Sequence, residues 1–360
     1  MNLNIDTDLW GYLASSDKTV VMYGMGNGAD KILAICEGRG IEVADFFASD
    51  GFVRGHSFHG KVVLSYSEVK EKYGAENIIV LLSFASSLPD VIENIKRIAV
   101  ECELYAPDVP VFPSELFDMD FYTRHKAEID ATCDMLADEE SRRIFERVVA
   151  YKLTGRIDLL EEAVSDKGEV YRELLCAESI RSCADLGAYN GDTVRELAEY
   201  APQLSRVVAF EPDRRNFKKL SLYADGEERF EVSAVNAAAW SSDTTLSFSV
   251  EGNRNSSVGG NGKSADIEAR SLDGVLAGAS VDYIKYDVEG SEAEALAGSS
   301  ETIRASTPRL LVSLYHRSED IFALPALVRE ISGEYELYLR RYRYIPAWDL
   351  NLICIPKIKQ

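Results

Sequence analysis

Three stretches bring acids to the ends of short apolar runs: DLGAYNGDT at 185–193, AFEPD at 209–213 and IKYDVEGSE at 284–292. The runs SCADL, SRVVAF and SVDYIKY read as buried strands, and the segment after each has helical character. In an open α/β sheet, ligands bind in the crevice outside the carboxyl ends of the strands, so Asp185, Glu211 and Asp287 fall where a ligand belongs. Gly187 and Gly191 make a tight strand-to-helix turn, with Ala188, Tyr189 and Asn190 between them. Alone, that pair suits a dinucleotide as well as any other turn. Asp185 at the strand end and Asp192, beside Thr193, at the helix start change the guest, because a pyrophosphate there would be repelled. A ligand with an ammonium and a sulfonium linked to a ribose suits these carboxylates, and S-adenosylmethionine has those parts. Glu211, followed by Pro212 and Asp213, stands at the next strand end, where an acid accepts both ribose hydroxyls. The competing reading, a glycine turn with capping aspartates, leaves Glu211 and the third stretch as coincidences.

From about 170 to 356 the chain resembles the FkbM-type methyltransferases, a branch of the class I S-adenosylmethionine-dependent enzymes. The likeness rests on DLGAYNGDT, AFEPD, AAWSSDTTLSF at 238–248, SLDG at 271–274 and YDVEGSE followed by PRLLVSLYH at 308–316. It implies transfer of a methyl group, usually to a hydroxyl of a sugar or natural product, without identifying the acceptor. It further implies a seven-stranded doubly wound sheet with its last strand antiparallel. Asn236 and Ala239, after the strand FEVSAV, would line the adenine, with Trp240 packing on it or filling the core. Asp287 would lie near donor and acceptor, and Ser256 and Ser257 fall where family members carry serines.

A sulfonium is already activated, so transfer to oxygen requires alignment behind the methyl and removal of the hydroxyl proton. His316, in SLYHRSED, is the leading base; His56, His59 and His125 lie upstream. A satisfied structural histidine is the alternative. Asp287, Glu289 and Glu292 form a second candidate group, which could hold Mg²⁺ or another hard cation. Otherwise Asp287 orients the acceptor, while Glu289 and Glu292 reach the donor's amino group or cap the helix that starts near Gly290 and Ser291.

These residues need strands to hold them. Beyond those already named, LLVSLY at 310–315, YELYLRRYR at 335–343 and NLICI at 351–355 complete a class I methyltransferase domain over 181–360. Residues 1–112 repeat a strand, turn and helix pattern: 20–23 before GMGNGADK, then IEVADFF at 41–47, KVVLS at 61–65 and NIIVLLS at 77–83. That is a smaller Rossmann-like α/β domain, which resembles the sugar- or nucleotide-binding domains of some sugar-modifying enzymes. Gly24, Gly26 and Gly28 could let a backbone approach a phosphate. The second strand, however, ends in Asp45, Phe46 and Phe47 without a clear ribose acid, leaving Asp50 as a substitute. A fold that only recognises a partner or positions the acceptor weighs the same. Residues 113–180 read as a helical connecting region, where ESRRIFERVVAYKLTG sets Ile144, Val148 and Leu153 near helical spacing and Gly155 as a stop. The stretch EGNRNSSVGGNGKSA at 251–265 reads as a flexible loop, either a lid over the site or a hairpin tip with no role.

Composition bounds the partners. Asp plus Glu total 60 against 39 for Lys plus Arg, a net charge of −21 that repels polyanions, so nucleic acid is disfavoured and a small-molecule or glycan acceptor expected. No apolar run approaches the ~18 residues of a spanning helix and the start lacks a basic signal-peptide region, so a cytoplasmic location is expected. Six cysteines without a CxxC pair argue for reduced thiols and against zinc. Two readings from other classes stand beside these: an NAD-dependent enzyme, and an NAD- or nucleotide-sugar-binding protein with a non-catalytic methyltransferase fold. No short-spaced Tyr/Lys pair near 24–100 supports the first, and intact Asp185, Glu211 and Asp287 argue against the second.

Overall fold

The computed structural model of the chain describes residues 3–53, 55–250, 257–258 and 263–357. Its N-terminal sheet is built from β1 (Thr19–Tyr23), β2 (Val43–Ala48), β3 (Leu64–Ser65), β4 (Ile78–Leu82) and β5 (Glu103–Tyr105), with α1 (Asn27–Gly38) after β1 and α2 (Pro89–Glu101) after β4. The strands lie in the order β3-β2-β1-β4-β5, every pair parallel. A parallel sheet is covered on both faces, which is why β4 can read IIVLL and be buried throughout. Val20, Met22, Ile79 and Leu81 enter one apolar cluster, and Val21, Tyr23, Val80 and Leu82 the other. The expected single strand at 61–65 is in fact split. Lys61–Val62 pairs with Ser57–Phe58 in a hairpin, and only β3 joins the sheet. The three residues of β5 are too few to show a period in the sequence.

The connecting region is helical, and its longest member is α3 (Glu139–Thr154). Asp138 caps its start, and Gly155, at φ 66° in the left-handed region, ends it. Ile144, Val148 and Leu153 sink into a core that also contains residues of both sheets. The helix is tied at each end. Ser141 Oγ accepts from Leu339 N at 2.9 Å, and Tyr151 OH donates to Ala106 O at 2.8 Å.

The C-terminal sheet comprises β6 (Ser182–Leu186), β7 (Arg206–Phe210), β8 (Glu231–Val235), β9 (Tyr283–Tyr286), β10 (Arg309–Ser313), β11 (Tyr335–Arg341) and β12 (Leu350–Pro356). Helices α4 (Asp192–Tyr200), α5 (Arg214–Gly226) and α6 (Asp320–Ile331) follow β6, β7 and β10. The order is β8-β7-β6-β9-β10-β12-β11, with β12 antiparallel to both neighbours. This is the doubly wound seven-stranded arrangement expected, preceded by the smaller α/β unit and a helical layer. Between β8 and β9 a separate four-stranded sheet, built from 238–239, 263–270, 244–250 and 257–258, was not legible in the sequence. The expected loop lies partly outside the described residues, Ser256 with it, while Ser257 pairs with Ser249. Among the described residues no helix is long and apolar enough to cross a membrane. The six cysteines are unpaired, and only Cys176 is exposed.

Candidate active site

The ends of β6, β7 and β9 are locked together by backbone. Gly187 takes φ +100°, and a Cβ there would lie 1.9 Å from Asp287 O. Gly187 N and Ala188 N both donate to Phe210 O, at 3.2 and 2.8 Å. Gly191 takes φ +84°, with the Tyr223 ring 2.4 Å from where a Cβ would sit. The glycine pair is therefore required by geometry.

Inside this frame Asp185 is buried and accepts from Thr193 Oγ1. Its other oxygen lies 3.4 Å from Lys285 Nζ, which also reaches Asp287 Oδ2 at 3.3 Å. Burial opposes the charge on Lys285, but the two carboxylates outweigh it and raise its pKa. Lys285 was missed by sequence reasoning. Its signal is a lysine in an otherwise apolar strand, two residues before Asp287 and therefore on the same face. One cation thus already stands between two of the acids expected to meet the ligand.

Glu211 is buried at the end of β7. Burial pushes its pKa up to about 7, against the pull of the Asp213 and Tyr189 N–H groups. Asn236 donates its amide to the carbonyls of Glu211 at 2.8 Å and Pro212 at 3.3 Å, bracing the strand end. Asp213 caps α5, accepting from Arg215 N and Asn216 N. Asp192 is exposed and accepts from Thr193 N at 3.0 Å. Tyr189 is exposed beneath Lys219, Asn190 accepts from Arg195 at 3.4 Å, and Ala239 is buried beside β8. Of the predicted contact residues between 185 and 239, Asp185 and Glu211 are the buried acids, and the others form the turn, its rim and its braces.

The second cluster gathers around His316, three residues past β10 and 1% exposed. Its Nδ1 lies 2.8 Å from Glu292 Oε1, and its Nε2 lies 3.7 Å from Asp287 Oδ1 and 3.5 Å from Glu289 Oε2. Desolvation works against a charge on the ring, but Glu292, Asp287 and Glu289 outweigh it and raise the pKa to about 10. Asp287 Oδ1 also accepts from Ser313 Oγ and Tyr315 OH, both at 3.0 Å. Burial opposes its charge too, yet Lys285 and His316 hold its carboxyl below the usual range. Glu292 does not reach outward or cap its own helix. It is 1% exposed and its Oε1 accepts from Val288 N at 3.0 Å and Gly290 N at 3.4 Å as well as from the histidine. Phe112, from the N-terminal half, packs over this corner. A Cβ on Gly290 would touch its ring at 3.0 Å, and the ring meets His316 edge-on at 5.6 Å.

The cation alternative changes membership. Asp287, Glu292 and His316 each offer an atom within 4.8 Å of the others, whereas Glu289 is outside that group. Glu292 Oε1 already accepts from Val288 N, Gly290 N and His316, whereas Glu292 Oε2 is buried without a hydrogen-bond partner and stays open to a cation.

Residues 185–346 match the family described as Methyltransferase FkbM domain. Among solved structures, the methyltransferase FkbM from Methylobacillus flagellatus KT superposes with a TM-score of 0.70 at 19% identity, covering 94% of this chain and 90% of that one. That likeness shows a shared fold over nearly the whole chain. More distant are an rRNA methylase from Streptococcus thermophilus (TM-score 0.37, 14% identity, 54% and 99% covered) and the Aeropyrum pernix fibrillarin with natively bound S-adenosyl-L-methionine (0.33, 13%, 52% and 76%). No curated protein matches the chain.

Proposed function

We propose, from the premise that this chain carries a methyltransferase FkbM domain over residues 185–346, that it moves a methyl group from S-adenosylmethionine to a hydroxyl of a sugar or natural product. The observation that carries the oxygen acceptor is the orientation of His316, whose Nδ1 is tied to buried Glu292 while Nε2 faces Asp287 and Glu289.

The residues fit the donor. The turn at Gly187 leaves no room for a side chain, and Glu211 waits at the next strand end with a carboxyl that ionises near neutrality. When bound, the donor supplies a methyl already activated on a sulfonium. Glu211 then accepts the ribose hydroxyls, and the 187–191 turn sets the position of the rest. With Nδ1–H donated to Glu292, the neutral imidazole keeps its lone pair on Nε2, where it takes the proton of the acceptor hydroxyl. Asp287, fixed by Lys285, Ser313 and Tyr315, orients that hydroxyl and stabilises the imidazolium that results. Phe112 excludes water from the ring's edge. A reaction of this kind, with five buried thiols, suits the cytoplasm.

The test is transfer of label from methyl-labelled S-adenosylmethionine into a pool of cellular glycans and metabolites, with mass spectrometry of the products that become labelled. Calorimetry with S-adenosylmethionine, S-adenosylhomocysteine and NAD accompanies it. Binding of NAD alone would replace this reading with the dinucleotide one, and no transfer despite adenosyl binding would leave a non-catalytic fold.

A further inference from the structure

A cavity of about 210 Å³ opens where the two halves of the chain face each other. One wall is the switch point of the N-terminal sheet, between β1 and β4, where strand order reverses and open α/β sheets take ligands. The opposite wall is Pro346 and Trp348, from the segment joining β11 and β12. A pair of backbone bonds fixes these walls: Ser86 N to Ile345 O at 2.9 Å and Ile345 N to Ser86 O at 3.0 Å. Val109 and Val111 supply a third wall. Lys31 Nζ holds that strap by donating to the carbonyls of Pro110 at 2.8 Å and Val111 at 2.6 Å.

Two contacts run from this cavity to the His316 cluster. The strap's next residue, Phe112, donates its N–H to His316 O at 3.3 Å and lays its ring against the imidazole. On the other side the Trp348 ring lies 6.2 Å from that of Tyr315, at 24° between planes, and Tyr315 OH donates to Asp287. Phe112 and Tyr315 thus lie between two of the cavity's lining residues, Val111 and Trp348, and the His316 corner.

Its chemistry narrows the guest. A Cβ on Gly28 would lie 2.1 Å from Ser83 O, so this glycine serves helix packing, not approach to a phosphate. Asp50, the substitute ribose acid, accepts from Ser67 N and Oγ and does not line the cavity, and Asp45 is held by Lys72 and Tyr73. The volume falls below the ~300–1,000 Å³ of drug-sized pockets, which leaves space for a single ring. Apolar side chains dominate the lining, Trp348 is among them, no lining residue carries a carboxylate although the chain has 60 acids, and the lining cation, Lys31, donates to the Pro110 and Val111 carbonyls.

We infer that this cavity is the acceptor subsite and takes the ring of a neutral, hydroxylated acceptor of single-sugar size, stacked on Trp348 with a hydroxyl turned toward Asp287 and His316. The inference rests on the methyl-transfer function proposed for the His316 corner. Its test is saturation-transfer difference NMR on the full chain loaded with S-adenosylhomocysteine, using methyl α-glucopyranoside, methyl α-galactopyranoside and methyl α-mannopyranoside as probes. Ring protons of at least one probe should be saturated, with roughly tenfold weaker binding in Trp348→Ala and little change in Trp348→Phe. Val111→Trp, which fills the cavity from another wall, should abolish the signal, and it tests the same point if Trp348→Ala fails to fold. No saturation from any of the three probes, or equal saturation in the wall variants, would overturn the assignment. Loss of S-adenosylhomocysteine binding with pyranoside binding intact would sink the donor reading and leave the subsite standing.

Discussion

His316 and Glu292 form a buried pair, and on the proposed function this pair sets when the ring can act as a base. With its pKa raised to about 10, the imidazole is mostly charged at neutral pH, so kcat/KM should rise about tenfold per pH unit from 7 toward 10. A profile flat between pH 7 and 9 would remove His316 from proton transfer. The same shift stabilises the fold fully below the unfolded value of about 6.5, and that contribution disappears as pH climbs through about 10. His316→Ala or Asn should lower turnover by roughly 10²–10⁴ while adenosyl binding, measured by calorimetry, persists. Glu211 acts in the same sense at lower pH. On the proposed reading its carboxyl ionises to accept ribose hydroxyls, so donor affinity should weaken roughly fivefold from pH 7 to pH 6 and plateau about one unit above neutrality. EDTA should leave the rate unchanged if the hydrogen bonds on Asp287 Oδ1, Glu292 Oε1 and His316 Nδ1 are what hold this corner, and a lost rate would place a cation at the unpartnered Glu292 Oε2. Asp185, Glu211, Asp287 and His316 were legible because strand ends are visible as the edges of apolar runs. Lys285 was not, since a lysine inside a buried strand has no local cause and is explained only by carboxylates from two neighbouring strand ends.

Among the elements, the turn after β6 carries the tightest constraint. Gly187→Ala would force a methyl into Asp287 O and a side chain into the left-handed region, at a cost of at least ~1–3 kcal/mol. A denaturant titration should register that loss together with lost adenosyl binding. Unchanged stability would mean the turn adopts another path. Strands such as β1, β4, β6, β7 and β10 were readable because parallel strands buried on both faces are nearly continuous apolar runs, whereas β3 and β5 were too short to stand out. The small sheet at 238–270 was hidden for the opposite reason: TTLSFSV and KSADIEAR mix small and charged residues, and their pairing is set by register between distant segments. Asp213 illustrates the same limit at a helix start. Its type and place fit a ligand and a cap equally, and the structure shows its Oδ1 capping α5.

At the scale of the molecule, one apolar core runs from Val21 and Val80 through Val148 to Leu186, Leu337 and Leu352. The sequence showed two sheets and a charged helical stretch between them, but not that α3 would be sandwiched by both. A fragment beginning at residue 181 would expose that face of the C-terminal sheet, and it should aggregate or melt without a cooperative transition in calorimetry. A soluble, sharply melting fragment would show the core to be divisible. The reciprocal pair of bonds between Ser86 and Ile345 has a further consequence. Two amides belonging to opposite halves can exchange with solvent only when those halves part. Their deuterium uptake should therefore report the same opening event at the same rate, and a sugar-sized guest between the walls should slow both together.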